Sequence, residues 1–426
     1  MTSRLPEAAW TRRKDLADLV AAMGPGQARY VGGAVRDTLL GLAVKDIDVA
    51  TPLVPAEVVA RLKAAGIRSA PTGIEHGTIT AILPAGPVEI TTLRHDVSTD
   101  GRRATVAFAS EWQDDAARRD FTINALYADP ATGEIADFFG GLDDLAARRV
   151  RFIGDARQRI REDHLRILRY FRFQARFGSQ PADAEAEEAC ADLAATLKGL
   201  SRERVGMETM NLLSLADPAP TVARMAELGV LHVILPEADP AALVRLVAEE
   251  QRQGVGPDAL RRLAALLPAD LSLAETVASR FRLSGAQKKR LTLAARRNET
   301  LLPHQAGWTM SEANDGAGQT APSPSSGTLS VSAQAGAALL ARTLAYRLGR
   351  EAALDRLLLV GEPVAPLQGW EIPQFPLKGG AIVARGIKAG PEVARLLGTI
   401  ETRWLAEGFP DAARVEALLD EAIGPT

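Results

Sequence analysis

The sequence predicts an α+β protein, with a mixed sheet and its helices first and an all-α remainder after it. Three observations support that reading. From residue 28 to 93, short runs with period-two alternation, bounded by Gly and Pro, are interleaved with helical patterns. Beyond Ser201 the apolar residues keep helical spacing, with Pro or Gly at the breaks, as in LADPAPTVARMAELGVLHVILPE. The length of 426 residues exceeds one ordinary core, so roughly two to four domains are expected.

Taken in order, residues 5 to 23 read as a capped amphipathic helix ending near Gly24-Pro25-Gly26, and Ala28 to Val31 as a short strand. Gly32 and Gly33 then open a helix that Gly41 ends. Paired glycines let a backbone approach a ligand closely, and a helix start offers unpaired N–H groups and a positive dipole end. That is a phosphate cradle, although an ordinary tight turn uses the same pair. Lys45 to Thr51 is a strand-like run in which Asp46 and Asp48 project to one face while Ile47 and Val49 enter the core. Neighbouring carboxylates require a cation, a raised pKa or ample water. Hard oxygen ligands at a strand end suit Mg²⁺, which takes one or two protein carboxylates and completes its shell with water and substrate phosphate.

Thr51 and Pro52 read as the N-cap and first residue of the next helix. Residues 67 to 73 form a further strand, and 77 to 83 and 88 to 93 form a hairpin around Pro84-Ala85-Gly86-Pro87. Glu89 shares a face with Thr91 and Leu93. Facing the two aspartates, it would make three carboxylates, enough for two Mg²⁺ ions in an in-line phosphoryl displacement. Facing away, it is an exposed strand residue.

The run YVGGAVRDTLLGLAVKDIDVAT, Tyr30 to Thr51, resembles the head-domain signature of class II tRNA nucleotidyltransferases, the CCA-adding enzymes, and of the related bacterial poly(A) polymerases. PTGIEHGT, VEITTLR, the loop DGRR at Asp100 to Arg103, RRDFTINALY at Arg118, EDHLRILRYFRFQARFG at Glu162 and SRERV at Ser201 follow in the family's order. Several motifs in one order are far more specific than any one of them. The stretch FPLKGGAIVARGIKAGPEVARLLGTIETRWLAEGFP resembles the tail of the CCA-adding group, with Ala381 where an acid is usual.

The resemblance implies a nucleotidyltransferase head over 1–141, a base-recognising neck over 142–205, a helical body over 206–310, a flexible insertion over 311–337 and a tRNA-facing tail over 338–426. It implies that Asp46 and Asp48 bind the catalytic metals and that Glu89 completes the catalytic set. Gly32, Gly33 and Arg36 match positions that hold the nucleotide, and Arg119, Asp120 and Asn124 match the motif that recognises ribose. Asp163 and Arg166, three apart on an expected helix, would read the base. A carboxylate accepts hydrogen bonds and a guanidinium donates them, which suits the edges of C and A and rejects those of U and G. Arg169 and Arg172 fall to the triphosphate or the RNA backbone. The expected reaction is stepwise addition of C, C and A to tRNA from CTP and ATP with Mg²⁺. The rivals are a poly(A) polymerase, a partial CC- or A-adding enzyme, and an RNA-binding protein with an inactive head. The tail and the absence of a long basic extension weigh against the first rival, and the DGRR loop weighs against the second.

Composition narrows the rest. The net charge of −3 leaves any nucleic-acid contact to local basic patches. One is the stretch from Arg151 to Arg176, with eight arginines. Another is the helix carrying Lys288, Lys289, Arg290, Arg296 and Arg297, which serves either tRNA contact or a solvated face. Cys190 is the only cysteine, a core filler that excludes internal disulfides. A cytoplasmic protein without membrane spans or a stable protein partner is expected.

Overall fold

The computed structural model describes residues 3–100, 103–109, 111–299 and 331–424. The centre of the DGRR loop and residues 311–330 of the expected insertion lie outside them. The remaining residues of the expected insertion, 331–337, belong to the helix Val331–Leu348, so the helix begins before the expected boundary at 338.

The first compact unit is Met1–Pro236. Its sheet is built from β1 (Arg29–Val31), β2 (Asp48–Thr51), β3 (Arg68–Gly73), β4 (Thr78–Leu83), β5 (Gly86–Thr92), β8 (Leu126–Ala128) and β9 (Ile135–Asp137), in the order β3-β4-β5-β2-β1-β8-β9. β2 and β5 run parallel and the other neighbours antiparallel, the mixed sheet expected. β6 (Arg94–Asp100) and β7 (Arg103–Phe108) form a separate ribbon. Alternation along β4 and β5 is clean: Ile79, Ala81, Val88 and Ile90 are fully buried, while Ile82 and Glu89 are exposed on the other face.

The helices of this unit are α1 (Lys14–Met23), α2 (Gly33–Leu39), α3 (Pro55–Ala64), α4 (Trp112–Ala117), α5 (Gly141–Ala146), α6 (Ala156–Glu162), α7 (Arg166–Phe177), α8 (Ala184–Asp192) and α9 (Arg202–Leu213), followed by two short ones, Ala219–Glu227 and Val230–Ile234. Three boundaries differ from those expected, each for a local reason. The helix over 5–23 is split at extended Arg13, because Trp10 is pinned elsewhere: its Nε1 donates to Thr38 at 2.9 Å and its ring meets Tyr30 edge-on at 4.8 Å. Thr51 caps no helix. It ends β2, its carbonyl accepts from Leu93 at 2.7 Å, and the helix starts later, with Pro55 at its first turn. The segment Glu162 to Arg166 is not one helix either. Asp163 is extended and its side chain accepts from the N–H of Leu165 at 3.1 Å, a local bond that competes with helix and ends α6 before α7 begins.

The second unit, Glu237–Thr426, is helical among its described residues. One apolar cluster gathers Leu246, Leu344, Leu357 and Leu367, and a second gathers Ile382, Leu396, Ile400, Trp404 and Leu418. Ala381 packs against the second, where a methyl group fits and a charge would be desolvated. The basic helix is less open than its composition suggests. Arg290 pairs with Asp355 at 2.6 Å and Asp258 at 3.0 Å, and Arg297 donates to the Leu267 carbonyl at 2.7 Å. Arg261 and Arg262 share buried Glu250, at 2.6 and 2.8 Å.

Candidate active site

The register of the sheet brings the acids together. Asp48 is the direct partner of Glu89 across the parallel pair β2 and β5, so their side chains stand on one face. Ile47 and Val49 are buried, which leaves Asp46 and Asp48 on that same side; Asp46 precedes the strand and is exposed. Burial raises the pKa of Asp48, and the charges of Glu89 and Asp46 raise it further, against the opposing pull of Arg119. A half-buried carboxylate pressed by two like charges is a site that a cation stabilises. Among the described residues no three metal-ligating side chains close around one ion. Mg²⁺ asks for only one or two protein carboxylates, so the donor set fits it.

Beside the acids lies the glycine turn. Gly32 has φ +70 and ψ −125, a conformation that disfavours a side chain, and a Cβ there would lie 3.5 Å from Nη1 of Arg119. Gly33 begins α2, whose first-turn N–H groups lack intrahelical acceptors. Arg119 is oriented from behind: Nη2 donates to Asp115 at 3.0 Å and Nε to the Tyr127 hydroxyl at 3.0 Å. Asp115 also takes Arg118 at 2.6 Å and the Tyr127 hydroxyl at 2.6 Å, and is 1% exposed. Asp115 and Tyr127 did not stand out in the sequence as functional. The signal was the spacing of Asp115 three and four residues before Arg118 and Arg119, which places all three on one helical face.

Other candidates occupy internal positions. Arg36 is 5% exposed, pairs with Asp37 at 2.6 Å, bonds Asn124 and lies 4.1 Å over the Phe177 ring. Its guanidinium, expected to hold the nucleotide, is engaged here by Asp37 and Asn124. Asp120 is 8% exposed and accepts from Phe121 N–H at 2.9 Å, Asn124 at 3.0 Å and Arg169 at 2.5 Å. Burial would raise its pKa, but the Arg169 charge and these bonds hold it at about 2. Arg169 is therefore engaged by Asp120, and Arg172 by Glu208 at 2.6 Å.

Asp163 and Arg166 flank the break between α6 and α7 and each has its own support. Asp163 accepts from Arg204 of the SRERV motif at 2.7 Å. Arg166 donates to Glu162 at 2.7 Å and to the carbonyl of Arg118 at 3.1 Å, beside Arg119. Arg166 thus touches the backbone beside Arg119, while Asp163 is held from the SRERV segment.

Residues 28–151 match the poly A polymerase head domain, and residues 183–242 match the probable RNA and SrmB-binding site of polymerase A. The chain is 34% identical over 410 residues to the mitochondrial CCA tRNA nucleotidyltransferase 1 of Mus musculus, covering 93% of this chain and 86% of that one. It is 41% identical over 189 residues to a CCA-adding enzyme of Latilactobacillus sakei, covering 44% and 46%. Its fold is similar to that of the Bacillus stearothermophilus CCA-adding enzyme crystallised with CTP, with a TM-score of 0.66 and 23% identity over 93% of both chains. A second similar fold is that of the Thermotoga maritima CCA-adding enzyme complexed with tRNA, with a TM-score of 0.63 and 20% identity over 96% and 98%. At 34% identity over 93% of its length to the mouse enzyme, with a polymerase head-domain match over the sheet that carries the acids, the chain belongs to the CCA-adding and poly(A) polymerase family of RNA nucleotidyltransferases.

Proposed function

We propose that the protein adds C, C and A in turn to tRNA 3′ ends from CTP and ATP, releasing pyrophosphate at each step. The single observation that carries this reading is the pairing of Asp48 with Glu89 beside a glycine turn that Arg119 overlooks. The cradle receives the triphosphate, where first-turn N–H groups balance its charge, and Arg119 at its edge addresses the ribose. Asp163 and Arg166 meet the Watson–Crick edge of the base. Arg204 and Glu162 position them. The RNA 3′-oxygen bonds to the α-phosphorus while the bridge to the β-phosphate breaks, and the electron pair leaves with pyrophosphate. To Glu89, the exposed acid of its strand, we assign the 3′-hydroxyl proton.

Members of this family generally use a divalent metal. In this chain Asp46 and Asp48 would hold Mg²⁺, which when bound polarises the phosphate and stabilises the negative charge that builds during transfer, in a two-metal arrangement. A cytoplasmic location is part of the reading. Because the mammalian relatives are named as mitochondrial, cell fractionation is its check.

The deciding experiment supplies purified protein with tRNA lacking its 3′ end and each labelled nucleotide in turn. Two C followed by one A is the expected product. Long A tracts on any RNA would identify a poly(A) polymerase, addition that stops at CC or accepts only A would identify a partial enzyme, and no incorporation with Mg²⁺ would leave an RNA-binding protein.

A further inference from the structure

A single row of cross-strand partners runs through the site: Tyr127, Val31, Asp48, Glu89, Thr80 and Ala70. Directly opposed residues share a face, so all six side chains stand on the same side of the sheet. The two ends of that row differ. At β8 and β1 the face is closed, with Val31 and Tyr127 buried in a cluster with Ala109, Ala116 and Ile153. At β4 and β3 it opens: Ile82 is 42% exposed, and Arg68 is exposed with no ion pair among the described residues.

In-line displacement gives this asymmetry a direction. The glycine turn and Arg119 lie on the β1 side of Asp48, so the pyrophosphate departs towards β1. The attacking oxygen must arrive from the opposite side, over Glu89, and the chain that carries it must lie over β4 and β3. We propose that Arg68, Thr72, Thr80 and Ile82 form a shelf that seats the last nucleotides of the acceptor RNA, an assignment that rests on the nucleotidyl-transfer reading above. Ile82 supplies an apolar contact for a base. Thr72 and Thr80, whose hydroxyls are 2.5 Å apart, can donate to and accept from a ribose 2′-hydroxyl. Arg68 supplies charge for a phosphate.

Steady-state kinetics on tRNA lacking its 3′ end separates the shelf from the nucleotide site. Ile82→Glu places an acid on the exposed shelf and is expected to raise the KM for acceptor RNA roughly tenfold, equivalent to about 1.4 kcal/mol. The KM for CTP and the thermal midpoint should not change. Arg68→Ala should flatten the dependence of acceptor KM on salt, by up to about 0.7 in a log–log slope for one lost phosphate contact. Unchanged acceptor KM and salt slope in both variants, with an active wild type, would overturn the shelf alone. A wild type that incorporates no nucleotide would overturn the transfer reading and the shelf with it.

Discussion

Replacing Asp115 with Asn tests whether Arg119 is aimed at the glycine turn from inside the head. Burial alone would raise the pKa of Asp115, but the charges of Arg119 and Arg118 and the Tyr127 hydroxyl outweigh it and hold the carboxyl at about 2. Against an ordinary value of 3.8, that corresponds to roughly 2.5 kcal/mol of interaction with the ionised form. The carboxylate is 1% exposed, so solvent screening takes little away. Asn keeps the shape and removes the charge, leaving two guanidiniums less compensated, and the expected loss is about 2 to 4 kcal/mol. A native pKa below the unfolded one makes this contribution full at neutral pH and progressively lost as pH falls from about 4 towards 2. Wild type and variant should therefore differ most at pH 7 and converge in acid. Urea denaturation across that range measures the gap, and the KM for CTP reports whether Arg119 has lost its aim. A gap below about 0.5 kcal/mol at pH 7, or one that stays constant down to pH 2, refutes the reasoning.

Three further outcomes follow from other parts of the molecule. Gly32→Ala forces a side chain into φ +70 and towards Arg119, and should cost at least about 1 kcal/mol and raise the KM for CTP and ATP together, read by denaturation and kinetics. Asp163→Ala should keep triphosphate binding yet lose the preference for C and A over U and G; kcat/KM ratios measure it, and unchanged ratios would remove the base-reading role. Glu250→Gln removes the one negative charge that Arg261 and Arg262 share in the second unit, although Asp355 still holds Arg261 at 3.0 Å, and should cost about 3 kcal/mol there, seen as an earlier thermal transition.

The parts of the site set by strand periodicity were legible from the sequence. Asp46 and Asp48 fell on one face because alternation along a strand is local, whereas the side Glu89 faces stayed open until the parallel pairing of β2 with β5 set it opposite Asp48. Features decided by partners distant in sequence were not legible. Asp163 breaks a helix that its neighbours would continue, because it bonds Leu165 and Arg204. Arg169 and Arg172 looked like phosphate ligands because Asp120 and Glu208, which engage them, lie 49 and 36 residues away. Thr51-Pro52 carries better helix-start chemistry than Val54-Pro55, yet the bond from Leu93 to the Thr51 carbonyl keeps Thr51 in the strand and the helix starts at the second.

Helix α7 shows what those distant partners achieve. One side buries Ile167, Leu168, Tyr170, Phe171 and Phe177, while Phe173 is buried beneath the guanidiniums of Arg169 and Arg172. The other carries Arg166, Arg169, Arg172 and Arg176, which pair in turn with Glu162, Asp120, Glu208 and Asp37, acids from four separate segments. Desolvated ion pairs add little net stability compared with apolar packing, so a stability argument alone does not account for such a ladder. Register does. Sliding the helix by one residue moves it ~1.5 Å and turns it ~100°, which would break all four pairs at once. The aromatic side alone tolerates repacking, so the arginine side is what selects one setting. That setting fixes the start of α7, where Arg166 holds the Arg118 carbonyl, and the adjoining Arg119 faces the glycine turn. The run of arginines therefore serves first as a ruler between the break that ends α6 and the head. The charge that sequence composition assigned to RNA is largely spent on holding that distance.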